Sequence, residues 1–216
     1  ASFQGGTIIL SRRTFLGAGL GAGAVAFAPG FIPNALADLY GPAAGVAKLN
    51  ANENPYGPSP KALEAMIEAT SKGAYYVGES VERLIDKIAE RFALDTDHIT
   101  LGAGSSGALA NLARAKAKEG RILGPDLFWD TTTRLAIRQG GELVRTPKTA
   151  DLGVDLDALY AAITPEVSMV QICNPNNPTG MLIDADELKA FCRKAAKKCT
   201  VLVDEAYNEL TDDPEG

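Results

Sequence analysis

Four short apolar runs, at 121–125, 142–145, 167–172 and 200–203, each lie between stretches with helical spacing. Parallel strands need a crossover of a dozen or more residues, usually a helix. The alternation therefore predicts strands side by side with helices on two faces. Helices are expected at 61–71, 79–92, 105–118, 131–139, 155–163 and 184–198; the last opens on a polar cap and ends in a lysine-rich turn that suits its dipole. A further short strand is expected at 99–101. The predicted class is α/β, a three-layer α/β/α arrangement around a mostly parallel sheet.

Ligands of open α/β sheets sit at the C-terminal ends of the strands. Two polar segments occupy such places. Cys173-Asn174-Pro175-Asn176-Asn177-Pro178-Thr179-Gly180 follows the 167–172 run, and Asp204-Glu205-Ala206-Tyr207 follows the 200–203 run. By itself the first is a dense turn signal, since Asn tolerates left-handed backbone and Pro fixes φ. The second delivers a carboxylate and then a phenol from a dry strand. A third segment, Gly102-Ala103-Gly104-Ser105-Ser106, opens a helix. The first amides of a helix lack internal partners and its dipole favours anions there, so this turn can hold a phosphate or serve only as a cap.

The composition is that of a globular protein, 46% hydrophobic and 22% charged, with a net charge of −6 over 216 residues. No basic stripe with interleaved aromatics is present, which argues against a nucleic-acid surface. Cys173, Cys192 and Cys199 show neither a paired framework nor metal spacing, and no metal is expected. His98 is the sole histidine and reads as a loop residue, so no Ser-His-Asp triad can be assembled from any other position. Both phosphate-loop signatures of nucleotide-binding proteins are absent.

Residues 1–37 differ from the rest. Ser11-Arg12-Arg13-Thr14-Phe15-Leu16 precedes a Gly/Ala-rich apolar run, then Pro29, Pro33 and Ala35-Leu36-Ala37. A charged start, a modest apolar stretch and a small-x-small cleavage site describe an export signal. The paired arginines followed by Phe-Leu resemble a twin-arginine leader, which implies a periplasmic or extracellular protein. An uncleaved membrane anchor is the alternative. The apolar run is too short and glycine-rich for a stable span of about 20 residues. The organisation expected is a leader at 1–37, an N-terminal segment at 38–60 and part of a large domain at 61–216.

The Asn-Pro-Asn-Asn-Pro-Thr-Gly turn together with Asp-Glu-Ala-Tyr resembles the cofactor floor of fold-type I enzymes that use pyridoxal phosphate (PLP), the class I/II aminotransferases, and especially their histidinol-phosphate aminotransferase branch. Leu49-Asn50-Ala51-Asn52-Glu53-Asn54-Pro55 is similar to the segment that runs along the mouth of the site in that family. The resemblance covers about 48–214. It implies that Asp204 keeps the pyridine nitrogen protonated, as the Asp–pyridinium pair of PLP sites does. It assigns donors to the phenolate oxygen from Asn177 and Tyr207, and a phosphate cup to Gly104, Ser105 and Ser106. Relatives carry a ring-stacking aromatic after a Pro; here either Phe128 or Trp129 fits, because Leu127 sits where that aromatic is usual. Tyr76 matches a tyrosine that reaches the partner's phosphate in a dimer.

The same resemblance requires a Schiff-base lysine in a Ser-x-x-Lys segment beyond Asp204 and an arginine for the substrate carboxylate. Neither motif occurs up to Gly216. The expectation is thus a truncated aminotransferase, passing an amino group between an amino acid or amino-phosphate and a 2-oxo acid, inactive as this chain alone and homodimeric when complete. A noncatalytic fragment is the alternative, as is a decarboxylase or carbon–sulfur lyase of the same fold.

Overall fold

A computed structural model describes residues 45–54 and 56–212. The expected leader at 1–37 lies outside them, as does the start of the 38–60 segment. The chain divides into two compact units, Ala1–Gly73 and Ala74–Gly216.

In the first unit, helix α1 spans Pro60–Ala69. Ser59 starts it: the Ala62 amide donates to Ser59 Oγ at 3.2 Å, and Pro60 fills the first position, where no amide is needed. A single 3₁₀ turn, Thr70–Lys72, follows.

The second unit begins with α2, Glu79–Phe92, whose first turn carries Glu79 and Glu82 and whose last carries Arg91, both suited to the dipole. It then runs α3 (Ser105–Lys116), β1 (Arg121–Pro125), α4 (Thr131–Arg138), β2 (Leu143–Thr146), α5 (Leu156–Ala161), β3 (Val167–Cys173), α6 (Ala185–Ala195) and β4 (Thr200–Asp204). The sheet order is β2-β1-β3-β4 and its strand pairs are parallel. The chain leaves β1 for β2 on one side and returns past β1 to β3 on the other, so the topological switch lies between β1 and β3.

The strand expected at 99–101 does not form. Ile99 donates its amide to Thr96 O at 3.2 Å to close a 3₁₀ turn, and no strand among the described residues pairs with it. A strand without a ladder partner leaves its amides and carbonyls unpaired.

Strand period 2 sorts the core into two faces. Ile122 and Met169 pack with Ala113 of α3 and Ala136 of α4. Leu123, Val170 and Ile172 pack with Leu159 of α5 and with Leu188, Phe191 and Ala195 of α6. The Ser168 hydroxyl donates to Lys116 O at 2.7 Å, tying the last residue of α3 to the start of β3. Twelve residues of helix rise roughly 18 Å. The N-terminus of α3 therefore lies toward the C-terminal ends of the strands, over the Ile122/Met169 face.

Candidate functional site

Asp204 is the last residue of β4 and pairs in register with Cys173, the last of β3. It lies two residues beyond Leu202, which packs on the α3/α4 face, so Asp204 shares both the face and the sheet end of the α3 N-terminus. The residue is 7% exposed. Burial raises its carboxyl above the ordinary value of 3.8, and a hydrogen bond from the Ala206 backbone offsets part of this. Among the described residues no lysine or arginine pairs with it.

The turn after β3 is built on hydrogen bonds that its sequence supplies. The Asn174 amide donates to Asp204 O at 3.0 Å, extending the β3–β4 ladder. Asn174 Oδ1 accepts the Ile183 amide at 2.9 Å, and the Gly180 amide donates to Asn176 O at 2.7 Å, with Gly180 at φ +70. Asn177 is half-buried and its Nδ2 donates to the Tyr207 hydroxyl at 3.4 Å. The structure thus brings Asn177 and Tyr207 together, from two segments that were linked only by resemblance.

Gly104 precedes α3 at φ +75, ψ 168, and no side chain among the described residues caps the helix. Gly104, Ser105 and Ser106 are exposed. The helix start is open, with amides that an anion can take.

The two aromatic candidates differ in surroundings. Phe128 is buried, its ring over Gly124 and under the Arg145 guanidinium, 5.3 Å from Cζ to ring centre. Trp129 is 46% exposed. Tyr76 is fully exposed.

Three residues went unremarked in the sequence. Asn176 Nδ2 donates to Leu127 O at 3.1 Å and to Thr179 Oγ1 at 2.8 Å, bracing the post-β3 turn against the post-β1 loop. Gln171 is wholly buried on the α3/α4 face, with Nε2 reaching Trp129 O at 3.5 Å. A glutamine in a mostly apolar run was the available signal. Gln171 Oε1 and Asn176 Oδ1 are buried without a hydrogen-bond partner among the described residues. Arg145 is the third.

A cavity of about 1020 Å³ opens on the opposite face, where Leu188, Cys192, Asn174 and Tyr207 contribute to its wall. Asp204 does not line it, so the strand ends, not this hollow, define the candidate site. Asp95, Asp97 and His98 bring potential metal ligands together on an exposed turn.

The donor set fits PLP. A buried carboxylate with no cationic partner among the described residues suits a protonated ring nitrogen, an open helix start suits a phosphate, and the Asn177–Tyr207 pair suits a phenolate oxygen.

Polar groups at the C-terminal ends of β3 and β4, on a parallel sheet with an open helix start on the same face, are an arrangement in which α/β proteins can hold phosphate-bearing ligands. The sequence model of aminotransferase class I and II matches residues 44–215. The chain belongs to that family. It is 37% identical over 186 residues to histidinol-phosphate aminotransferase of Staphylococcus carnosus, covering 86% of this chain and 52% of that protein. It is 35% identical over 177 residues to an aromatic amino acid aminotransferase of Thermobifida fusca, 82% of this chain and 49% of that one. Among solved structures, histidinol-phosphate aminotransferase of Sinorhizobium meliloti in complex with pyridoxal-5'-phosphate superposes with a TM-score of 0.70 at 28% identity, over 76% of this chain and 45% of that one. The chain spans about half the length of the curated relatives it matches. No helix among the described residues is long and apolar enough to cross a membrane.

Proposed function

We propose that the protein is a PLP-dependent aminotransferase that moves an amino group between an amino acid or amino-phosphate and a 2-oxo acid. The observation that carries this is Asp204: a buried carboxylate with no cationic partner among the described residues, at the end of a parallel strand, on the face and at the end of the sheet where α3 begins. When bound, PLP supplies an electron sink. Asp204 holds a proton at the ring nitrogen, and that positive neighbour compensates the carboxylate's burial. Asn177 Nδ2 and the Tyr207 hydroxyl donate to the ring's phenolate oxygen. The amides after Gly104, with the Ser105 and Ser106 hydroxyls, bind the phosphate. Trp129 offers the exposed flat face for stacking, and Phe128 anchors the loop that carries it. Exposed Tyr76 is suited to reach a second copy's phosphate in a homodimer. This reading needs a lysine for covalent attachment and an arginine for the substrate carboxylate, and takes both from outside the half of the relatives' length that this chain spans. Export by a twin-arginine leader rests on Arg12 and Arg13 and their flanks.

The test is expression of the reading frame continued past Gly216 in the presence of PLP, borohydride reduction, and location of the pyridoxyl-lysine by mass spectrometry, followed by assay of amino donors. A pyridoxylated lysine, lost in Asp204→Ala, is the expected result. A protein that takes up no PLP overturns the reading.

A further inference from the structure

The loop between β1 and α4 holds both aromatic candidates, and side chains from outside the loop grip it almost residue by residue. Arg145 pairs in register with Gly124. Its Nη1 donates to Asp126 O at 2.8 Å and more weakly to Pro125 O at 3.4 Å, and its Nη2 donates to Asp130 Oδ2 at 2.6 Å. The same guanidinium stacks over Phe128. With Asn176 on Leu127 O and Gln171 on Trp129 O, the carbonyls of residues 125, 126, 127 and 129 all accept from side chains. Exposed loops ordinarily give such groups to water.

Glycine at 124 makes room for this arrangement. A Cβ there would lie 2.7 Å from the Phe128 ring, so the ring can rest against the strand only because that atom is missing.

The Arg145 side chain is about a third exposed, at 34%, and a simple ion pair at that exposure is worth little. Its contacts nevertheless converge on one five-residue loop, through a planar fork that lysine cannot reproduce. The Asp130 contact is charge-assisted and short, and the ring contact adds a cation–π component. Asp130 also pairs with Arg134, 3.1 Å away and within α4, so the carboxylate joins the loop's end to the helix.

We infer that Arg145 is a positioning residue: it fixes the loop that presents Trp129 to the cofactor, acting through Asp130 and Phe128 without touching cofactor or substrate. This rests on the PLP reading above.

The experiment uses the protein from its full reading frame, as wild type, Arg145→Gln, Arg145→Lys and Asp130→Asn. Three quantities are measured: PLP dissociation constant, induced circular dichroism of the bound cofactor, and melting temperature without cofactor. Arg145→Gln is expected to bind PLP about tenfold more weakly and to show a smaller induced signal, with cofactor-free melting lowered by only a few degrees. Arg145→Lys should fall between it and wild type, and Asp130→Asn should move as Arg145→Gln does. Wild-type affinity and induced signal in Arg145→Gln overturn the inference. So does PLP loss that matches cofactor-free instability equally in Gln and Lys. If Arg145→Gln does not fold, Asp130→Asn decides: a reduced induced signal supports the inference and a wild-type one overturns it. A wild type that binds no PLP overturns the aminotransferase reading itself, an outcome distinct from these.

Discussion

Asn177 donates to the Tyr207 hydroxyl across 3.4 Å, joining groups 30 positions apart. The β3–β4 register sets that spacing, since Cys173 pairs with Asp204 and each residue of the contact follows its strand's end within a few positions. The contact is long for an N–H···O bond.

If the pair serves one oxygen, its members should not behave independently. Tyr207→Phe and Asn177→Ala are each expected to lower kcat on the order of a hundredfold, as removal of a preorganised donor does. The double variant should be little worse than the weaker single, because groups acting as a unit are strongly non-additive. Steady-state kinetics of the three variants checks this, and strictly multiplicative losses would count against a shared role.

Asp204 sets a pH dependence with a definite sign. Burial raises its carboxyl above 3.8, so the folded, cofactor-free state holds its proton more tightly than the unfolded chain. That contribution to stability is complete below 3.8 and is lost as pH rises through the folded value. Asp204→Asn keeps the neutral shape at every pH. It should melt higher than wild type at pH 8, with the difference closing in acid, while losing PLP affinity. Thermal melts of the cofactor-free pair across this range test it; equal melting at pH 8 would falsify the assignment of a burial cost to Asp204.

How much of this was legible beforehand depended on which forces were local. The four strands and their helices showed in apolar periodicity, because period 2 and period 3.6 are properties of neighbouring residues. Asp204 could be placed at a dry strand end for the same reason. The 99–101 run has a strand's composition yet forms none, because pairing is a long-range condition that composition does not carry. The different burial of Phe128 and Trp129 was equally hidden: Phe128 packs between Gly124 and Arg145, neighbours brought in by the β1–β2 register. Asn176 lay inside the motif, but its role as a brace to Leu127 exists only once β1 and β3 are adjacent.

Gly124 is the point where that hidden packing can be measured. In Gly124→Ala the new methyl would meet the Phe128 ring at 2.7 and 2.8 Å, so the ring, held from its other side by Arg145, must shift. Overpacking of this kind costs about 1–3 kcal/mol. Urea unfolding should show it as a lower midpoint with an unchanged slope. Gly124→Ala combined with Phe128→Leu should recover part of the loss. A single variant as stable as wild type would mean the ring yields freely, which the Arg145 contacts argue against.

Gly104 separates backbone conformation from side-chain space. Its φ of +75 and ψ of 168 place it in a region open essentially to glycine alone, yet a Cβ would meet nothing within 4 Å. Gly104→Ala therefore loses stability through the backbone only, by about 1–3 kcal/mol. Asparagine, which eases left-handed helical positions, should give no relief here, because this ψ lies outside that region. Both substitutions should turn the first amides of α3 away from an anion. The decisive comparison is between PLP and pyridoxal, which lacks the phosphate: affinity for PLP should fall sharply in Gly104→Ala while affinity for pyridoxal changes little. An equal loss for both ligands would show that the helix start does not hold the phosphate.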